Sequence, residues 1–134
     1  LADLSAAWIE VQRTHNIWTI VREVLDATGD AAERSTFLNI VPFRTRRNAT
    51  PRVAEQQRAW QRATLQQVRA LAPERIVALG QKACTALTRL GAASEFSVIE
   101  VLRTNGDRYI HPKARVVLER LAASAGRTTE TRQA

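Results

Sequence analysis

The sequence predicts a three-layer α/β/α domain on a short, doubly wound and mostly parallel sheet, and three observations predict it. Helix-period segments alternate with strand-like ones, the strand-like segments are brief apolar runs, and turn or loop residues follow each of them. A chain of 134 residues, 45% apolar and 25% charged, is long enough for one apolar core and short for two. Residues 1–123 are therefore read as a single domain.

Residues 4–28 read as a helix. Ile17, Ile20, Val21, Val24 and Leu25 recur at spacings of three and four, with Asn16 placed to cap the start and Gly29 to stop the end. Residues 36–43, TFLNIVPF, are too short for a helix and rich in β-forming side chains, so they form the first strand, which Pro42 ends. The basic loop RTRRNA follows. Thr50 and Pro51 then have the order of an N-cap and a first helical residue, and VAEQQRAWQRATLQQVRAL continues as a long helix until Pro73, with Trp60, Val68 and Leu71 facing inward.

ERIVALG is an unbroken apolar run closed by Gly80, the pattern of a strand covered on both faces. QKACTALTRLG is a short helix with Cys84, Leu87 and Leu90 inward, FSVIEVL is a third strand, and RTNGDRY is a turn-bearing loop around Asn105 and Gly106. A final helix covers 112–123, with Pro112 in its first turn and Val117, Leu118 and Leu121 as its inner stripe. Residues 124–134 read as a polar, flexible tail.

No apolar run reaches the roughly 20 residues that cross a bilayer, and the start, LADLSAAWIE, lacks the parts of a signal peptide. A soluble, cytoplasmic protein with no membrane partner is expected. The lone Cys84 permits no internal disulfide and no zinc constellation; it reads as a buried structural thiol, and a nucleophilic Cys84 with His111 as its base lacks any local signature. HExxH, GxSxG and GxGxxG are missing, as are clustered Asp and Glu at ligand spacing, so neither metal nor cofactor is expected.

The formal net charge of +7 is unevenly placed. Positions 1–30 carry two Arg against five Asp or Glu, whereas positions 44–62 carry six Arg, at 44, 46, 47, 52, 58 and 62, against Glu55 alone. Guanidinium groups concentrated in this way favour a polyanion, because they replace the counterions condensed on a phosphate backbone. The acidic first helix is the surface that a protein partner would use.

In doubly wound sheets, ligands bind at the carboxyl ends of the strands, which here means after Val41, at Gly80 and before His111. Asn39, inside an apolar run, offers an acceptor and a two-proton donor that match the Watson-Crick edge of an extruded pyrimidine; an Asn bonded to backbone at a sheet edge is the plainer alternative. Gly80 and Gln81 sit where a strand passes into a helix whose free N–H groups can hold a phosphate, although a tight turn alone explains the glycine. His111, before Pro112, can donate a hydrogen bond to an oxygen gaining charge as a base leaves its sugar, or be an inert loop histidine. His15 is assigned no function.

Together, FLNIVPFRTRRNATP, the helix containing RAW, LAPERIVALGQKACTAL and the final HP resemble the uracil-DNA glycosylase superfamily over residues 36–113. The resemblance implies a uracil-DNA-glycosylase-like fold that binds single- or double-stranded DNA and hydrolyses the N-glycosidic bond of a flipped uracil or other modified base. It implies that Asn39 reads the base, that Gly80 and Gln81 approach the DNA backbone and that His111 stabilises the departing base anion. Arg44, Arg46 and Arg47 would bind phosphate. Lys113 and Arg115 would grip phosphate or enter the vacated stack, or simply begin a helix.

Two departures stand out. The superfamily's first strand, ending in a Gly- and Pro-containing loop that positions the attacking water, has no counterpart, since there is no Pro before Pro42 and no Gly before Gly29. The sequence starts at Leu1 rather than Met, and the expectation is that this motif lies upstream in a longer protein. The small and apolar residues that wedge into the duplex are replaced after His111 by KARVV. The alternatives are a non-catalytic nucleic-acid-binding or assembly module on the same fold, and a small-molecule or nucleotide-binding domain.

Overall fold

The computed structural model describes residue 10 and residues 17–41, 46–103 and 110–133, without the side chains of Asn48 and of residues 127–133. The expected N-cap Asn16, His15, Arg44 and the turn at Asn105 and Gly106 lie outside the described residues. The chain forms two compact units, one of Leu1–Thr36 with Val101–Ala134 and one of Phe37–Glu100. One domain was expected; each unit is taken in turn.

Among the described residues, the first unit has two long helices, α1 (Ile17–Thr28) and α5 (Pro112–Gln133), which pack on each other. The apolar stripe of α1 buries Ile20, Val21 and Val24, and α5 buries Ala114 and Leu118; Ile17, Leu25, Val117 and Leu121 are half-buried. Ile20 and Val101 are the largest fully buried side chains, each stabilising the fold by about 1.5–3 kcal/mol. Gly29 ends α1 as its position suggested: at φ 74°, a conformation glycine adopts without steric cost, its N–H reaches the Leu25 carbonyl at 2.9 Å. The last helix runs to Gln133 rather than stopping at 123, so the polar tail is helical through Gln133. Polar composition points to fraying, but no proline interrupts the segment to stop the helix.

The second unit holds the long helical stretch and the sheet apart from Val101. The helix starts at Val53, with Arg52 as its N-cap, not with Thr50 and Pro51. Glu55 decides this, because its carboxylate accepts the Arg52 N–H at 3.0 Å and satisfies a donor at the helix start. The stretch is α2 (Val53–Ala59), a π-helical turn (Trp60–Thr64) and α3 (Leu65–Leu71).

The π turn corrects the expected inner stripe. An α-helix turns by about 100° per residue, so an unbroken helix places Leu71 about 20° from Trp60. A π turn inserts an extra residue and sets back everything after it by about 100°, which brings Val68 within about 20° of Trp60 and carries Leu71 about 80° away. Accordingly Trp60 and Val68 are buried, while Leu71 is 49% exposed. Ala72, in the left-handed region at φ 46°, ψ 57°, closes α3 by donating to Val68 and Arg69 carbonyls, and Pro73 follows.

Among the described residues the sheet has two strands, β1 (Ile76–Leu79) and β2 (Val98–Val101), where three were expected. The Ile76 N–H donates to Ser97 at 2.8 Å, pairing one strand's start with the other's, and α4 (Gln81–Arg89) makes the crossover that a parallel pair requires. This mixed α/β arrangement is coarser than the three layers expected. Nor is β1 covered on both faces, since only Ala78 is buried along it. On α4, Cys84, Ala86 and Leu87 are buried and Leu90 is half-buried; the Cys84 thiol points at the Ala78 carbonyl at 3.7 Å, the structural thiol expected.

Residues 36–41 do not form a strand. Leu38 and Asn39 are both exposed, which breaks the period-two burial a half-covered strand needs, and Ile40 is held by a side chain instead of a ladder. The Thr64 hydroxyl donates to the Ile40 carbonyl at 2.7 Å.

Candidate nucleic-acid interface

Within the second unit, the basic segment is exposed. Arg46 and Arg47 lie on a short 3-10 turn, Arg46–Asn48, and Arg52, Arg58 and Arg62 follow through α2 into the π turn; all five are exposed, and among the described residues none is in an ion pair. Arg47 is at φ 55°, ψ 29°, a left-handed conformation that costs an ordinary residue about 1–2 kcal/mol. Strain of this kind persists where surrounding structure over-determines the backbone. Glu55, the acid in this segment, is turned to the Arg52 N–H.

Arg69 does not belong to this free set. Its guanidinium forms a two-pronged pair with Glu95, at 2.7 and 2.9 Å. That hydrogen bonding, reinforced by the opposite charges, raises the Arg69 pKa and holds the Glu95 carboxyl below its usual range.

Asn39 is also in the second unit and exposed. Among the described residues its side-chain amide makes no hydrogen bond, so it is not the backbone-bonded asparagine of the plainer alternative. Gly80 is buried at φ 91°, ψ 164°, a backbone conformation open in practice to glycine alone. No side chain caps the N-terminus of α4 behind it. The Gln81 amide donates to Thr85 Oγ1 at 3.1 Å and so runs along its own helix. Gln81, Cys84, Thr85, Thr88, Arg89 and Glu100 line an open groove of about 370 Å³, in which Thr88 donates to Glu100 at 3.3 Å. Of the expected site residues only Gln81 borders it.

His111 belongs to the first unit. It is half-buried and stands immediately before α5. Its Nδ1 accepts the Lys113 N–H at 3.2 Å, its carbonyl accepts the Ala114 N–H at 2.8 Å, and its own N–H donates to Leu102 at 3.0 Å. His111 is therefore the N-cap of α5, an N-terminal orphan donor being met by an imidazole. An accepting Nδ1 leaves the neutral ring's proton on Nε2, which makes Nε2 a donor. The Lys113 side chain is exposed, and Arg115 reaches Glu23 of α1 at 3.8 Å, so Arg115 faces a carboxylate of its own chain.

The residue that sequence reasoning missed is Thr64. It is 2% exposed and the one buried polar side chain among the described residues. Its four-residue spacing from Trp60, which puts a hydroxyl on the inward stripe, was the signal available. Among the described residues no group of His, Cys, Asp or Glu is arranged to hold a metal, and no helix is long and apolar enough to cross a membrane. Comparison with protein-family models, curated proteins and solved structures finds no match to this chain.

Proposed function

We propose that this chain is a DNA-glycosylase-like protein that binds DNA through Arg46, Arg47, Arg58 and Arg62, reads an extruded uracil or other modified base with Asn39, and assists hydrolysis of its N-glycosidic bond with His111. The observation that carries the reading is the Asn39 amide, exposed and uncommitted, in the same unit as five exposed and unpaired arginines. An amide already bonded to its own backbone has nothing left with which to read a base. In the reaction, water oxygen bonds to the sugar carbon, the carbon–nitrogen bond breaks and its electron pair goes to the base; a neutral His111 donates a hydrogen bond from Nε2 to the base oxygen that gains charge, and the proton that the water loses passes through solvent to the departed base. Gly80 and the start of α4 approach the DNA backbone.

Incubation with uracil-bearing single- and double-stranded oligonucleotides, followed by scoring of abasic sites, tests this. Abasic product is expected, and Asn39→Ala is expected to remove the preference for uracil over thymine. Full activity and selectivity in that variant would dispose of the reading.

One observation favours a non-catalytic DNA-binding module. His111 already has a structural task as the cap of α5. That module retains DNA in a salt-sensitive way and yields no abasic product.

A further inference from the structure

We infer that Thr64 is a positioning residue for Asn39, acting through the backbone of Ile40; this rests on the reading of Asn39 as the base-recognising amide. Thr64 lies in the π turn with 2% of its surface exposed, and its hydroxyl donates at 2.7 Å to a carbonyl 24 residues away in sequence. A threonine inside a helix ordinarily turns its hydroxyl back to the carbonyl four residues earlier. Here that carbonyl belongs to Trp60 and takes the Leu65 N–H, the five-residue bond of a π turn. The Thr64 hydroxyl points out of the helix instead, to the residue after Asn39.

Among the described residues, the Thr64 hydroxyl makes the one hydrogen bond to residues 38–41, and Leu38 and Asn39 face solvent. An exposed amide on an untethered backbone samples many orientations, and fixing one of them on binding is costly. The Thr64 hydroxyl pins the Ile40–Val41 peptide group, one peptide beyond those that flank Asn39, to a rigid helix and removes much of that freedom before a ligand arrives. A buried polar side chain is retained only where it is satisfied, and this one is satisfied by the carbonyl next to the proposed reading residue.

The test compares wild type, Thr64→Val, Thr64→Ser and Asn39→Ala for affinity toward one single-stranded oligonucleotide carrying a uracil and the same strand carrying a tetrahydrofuran abasic analogue. The ratio of the two affinities reports the base contact, and the abasic affinity reports phosphate contacts. Thr64→Val is expected to lower the ratio about tenfold, the scale of one hydrogen bond to a base edge, and to leave the abasic affinity unchanged. Thr64→Ser, which keeps the hydroxyl, is expected to restore the ratio, a rescue that a general packing defect would not show. Circular dichroism and tryptophan emission check the fold; if Thr64→Val does not fold, the smaller Thr64→Ala takes its place. A wild-type ratio near one defeats the reading of Asn39 and this inference with it. A high ratio in wild type that disappears in Asn39→Ala but is kept in Thr64→Val overturns the inference alone.

Discussion

Among the described residues, two helices begin directly after β-paired chain, α4 at Gly80 after β1 and α5 at His111 after the bridge of Ile110 to Arg103, and their starts are closed differently. At Gly80 no side chain caps α4, and the backbone turns through φ 91°. At His111 the imidazole folds over the first turn of α5 and takes the Lys113 N–H. In sequence the two look alike, each a short β-rich or loop segment, then a residue of special character, then a helix. The difference is one of available donors: the first start leaves its N–H groups for a partner such as a phosphate, whereas the second spends one of them on its own chain. What the second start gains is a ring held in place, with Nδ1 committed to the Lys113 N–H.

If His111 assists base release as proposed, replacing it produces the largest effect and separates capping from chemistry. His111→Ala is expected to slow base release by about 100-fold or more, the scale of losing one donor to a developing oxyanion, and to cost about 1 kcal/mol of stability through removal of the cap. His111→Ser restores the cap, since serine is a favoured N-cap, but not the rate. Measured by abasic-site formation and denaturant unfolding, recovery of both by serine would reduce His111 to a cap. At the other start, Gly80→Ala places a Cβ at φ 91° and is expected to cost about 1–3 kcal/mol, read as a lowered unfolding midpoint, because no L-residue sits there without strain.

The same contrast explains how far the sequence could be read. Glycine at 29 announced the end of α1 and glycine at 80 the turn from strand to helix, and the apolar spacing of Ile20, Val21 and Val24 announced the buried face of α1, because chain reversals and burial leave a local trace. The π turn left none. It inserts one residue's rotation without altering composition, so Leu71 was expected inside and is outside, and Thr64 went unnoticed. Residues 36–41 failed as a strand for another reason: β-propensity describes how well side chains fit a pleated, half-buried surface, and no partner strand supplies that surface to the described residues. The exposure of Asn39 and of the arginines fits their polar type, but the tie between Thr64 and Ile40 that holds Asn39's neighbour spans 24 residues and has no local pattern.

Charge removal sharpens the comparison between the basic segment and the ends of the helices. If DNA is held mainly by guanidinium groups on α2 and the π turn, replacing Arg58 and Arg62 together by Ala is expected to weaken binding to uracil-bearing and uracil-free duplexes alike. The plot of log affinity against log salt should become shallower by about 0.9 for each phosphate that is no longer neutralised. An unchanged slope would move the phosphate-binding groups elsewhere, to the open start of α4 first of all.

The smallest effect is expected at the Arg69–Glu95 pair, which joins α3 to the turn ahead of β2. Hydrogen bonding to Arg69 lowers the folded-state pKa of Glu95, so the carboxylate favours the folded state at pH values above the unfolded carboxylate range. That contribution is lost as the pH falls from that range through the lower folded value. Raised pKa values work in the opposite direction: for Arg69 the favourable contribution is present throughout the neutral range and fades only at very alkaline pH. Both side chains are well exposed, at 55% and 41%, and solvent and salt screen such pairs. Glu95→Gln is therefore expected to lower the unfolding midpoint slightly at neutral pH and low salt, with the gap from wild type closing both in strong acid and at high ionic strength. A gap that persists in acid would mean that the glutamine disturbs packing of the turn, and that the charge pair contributes little to holding α3 against it.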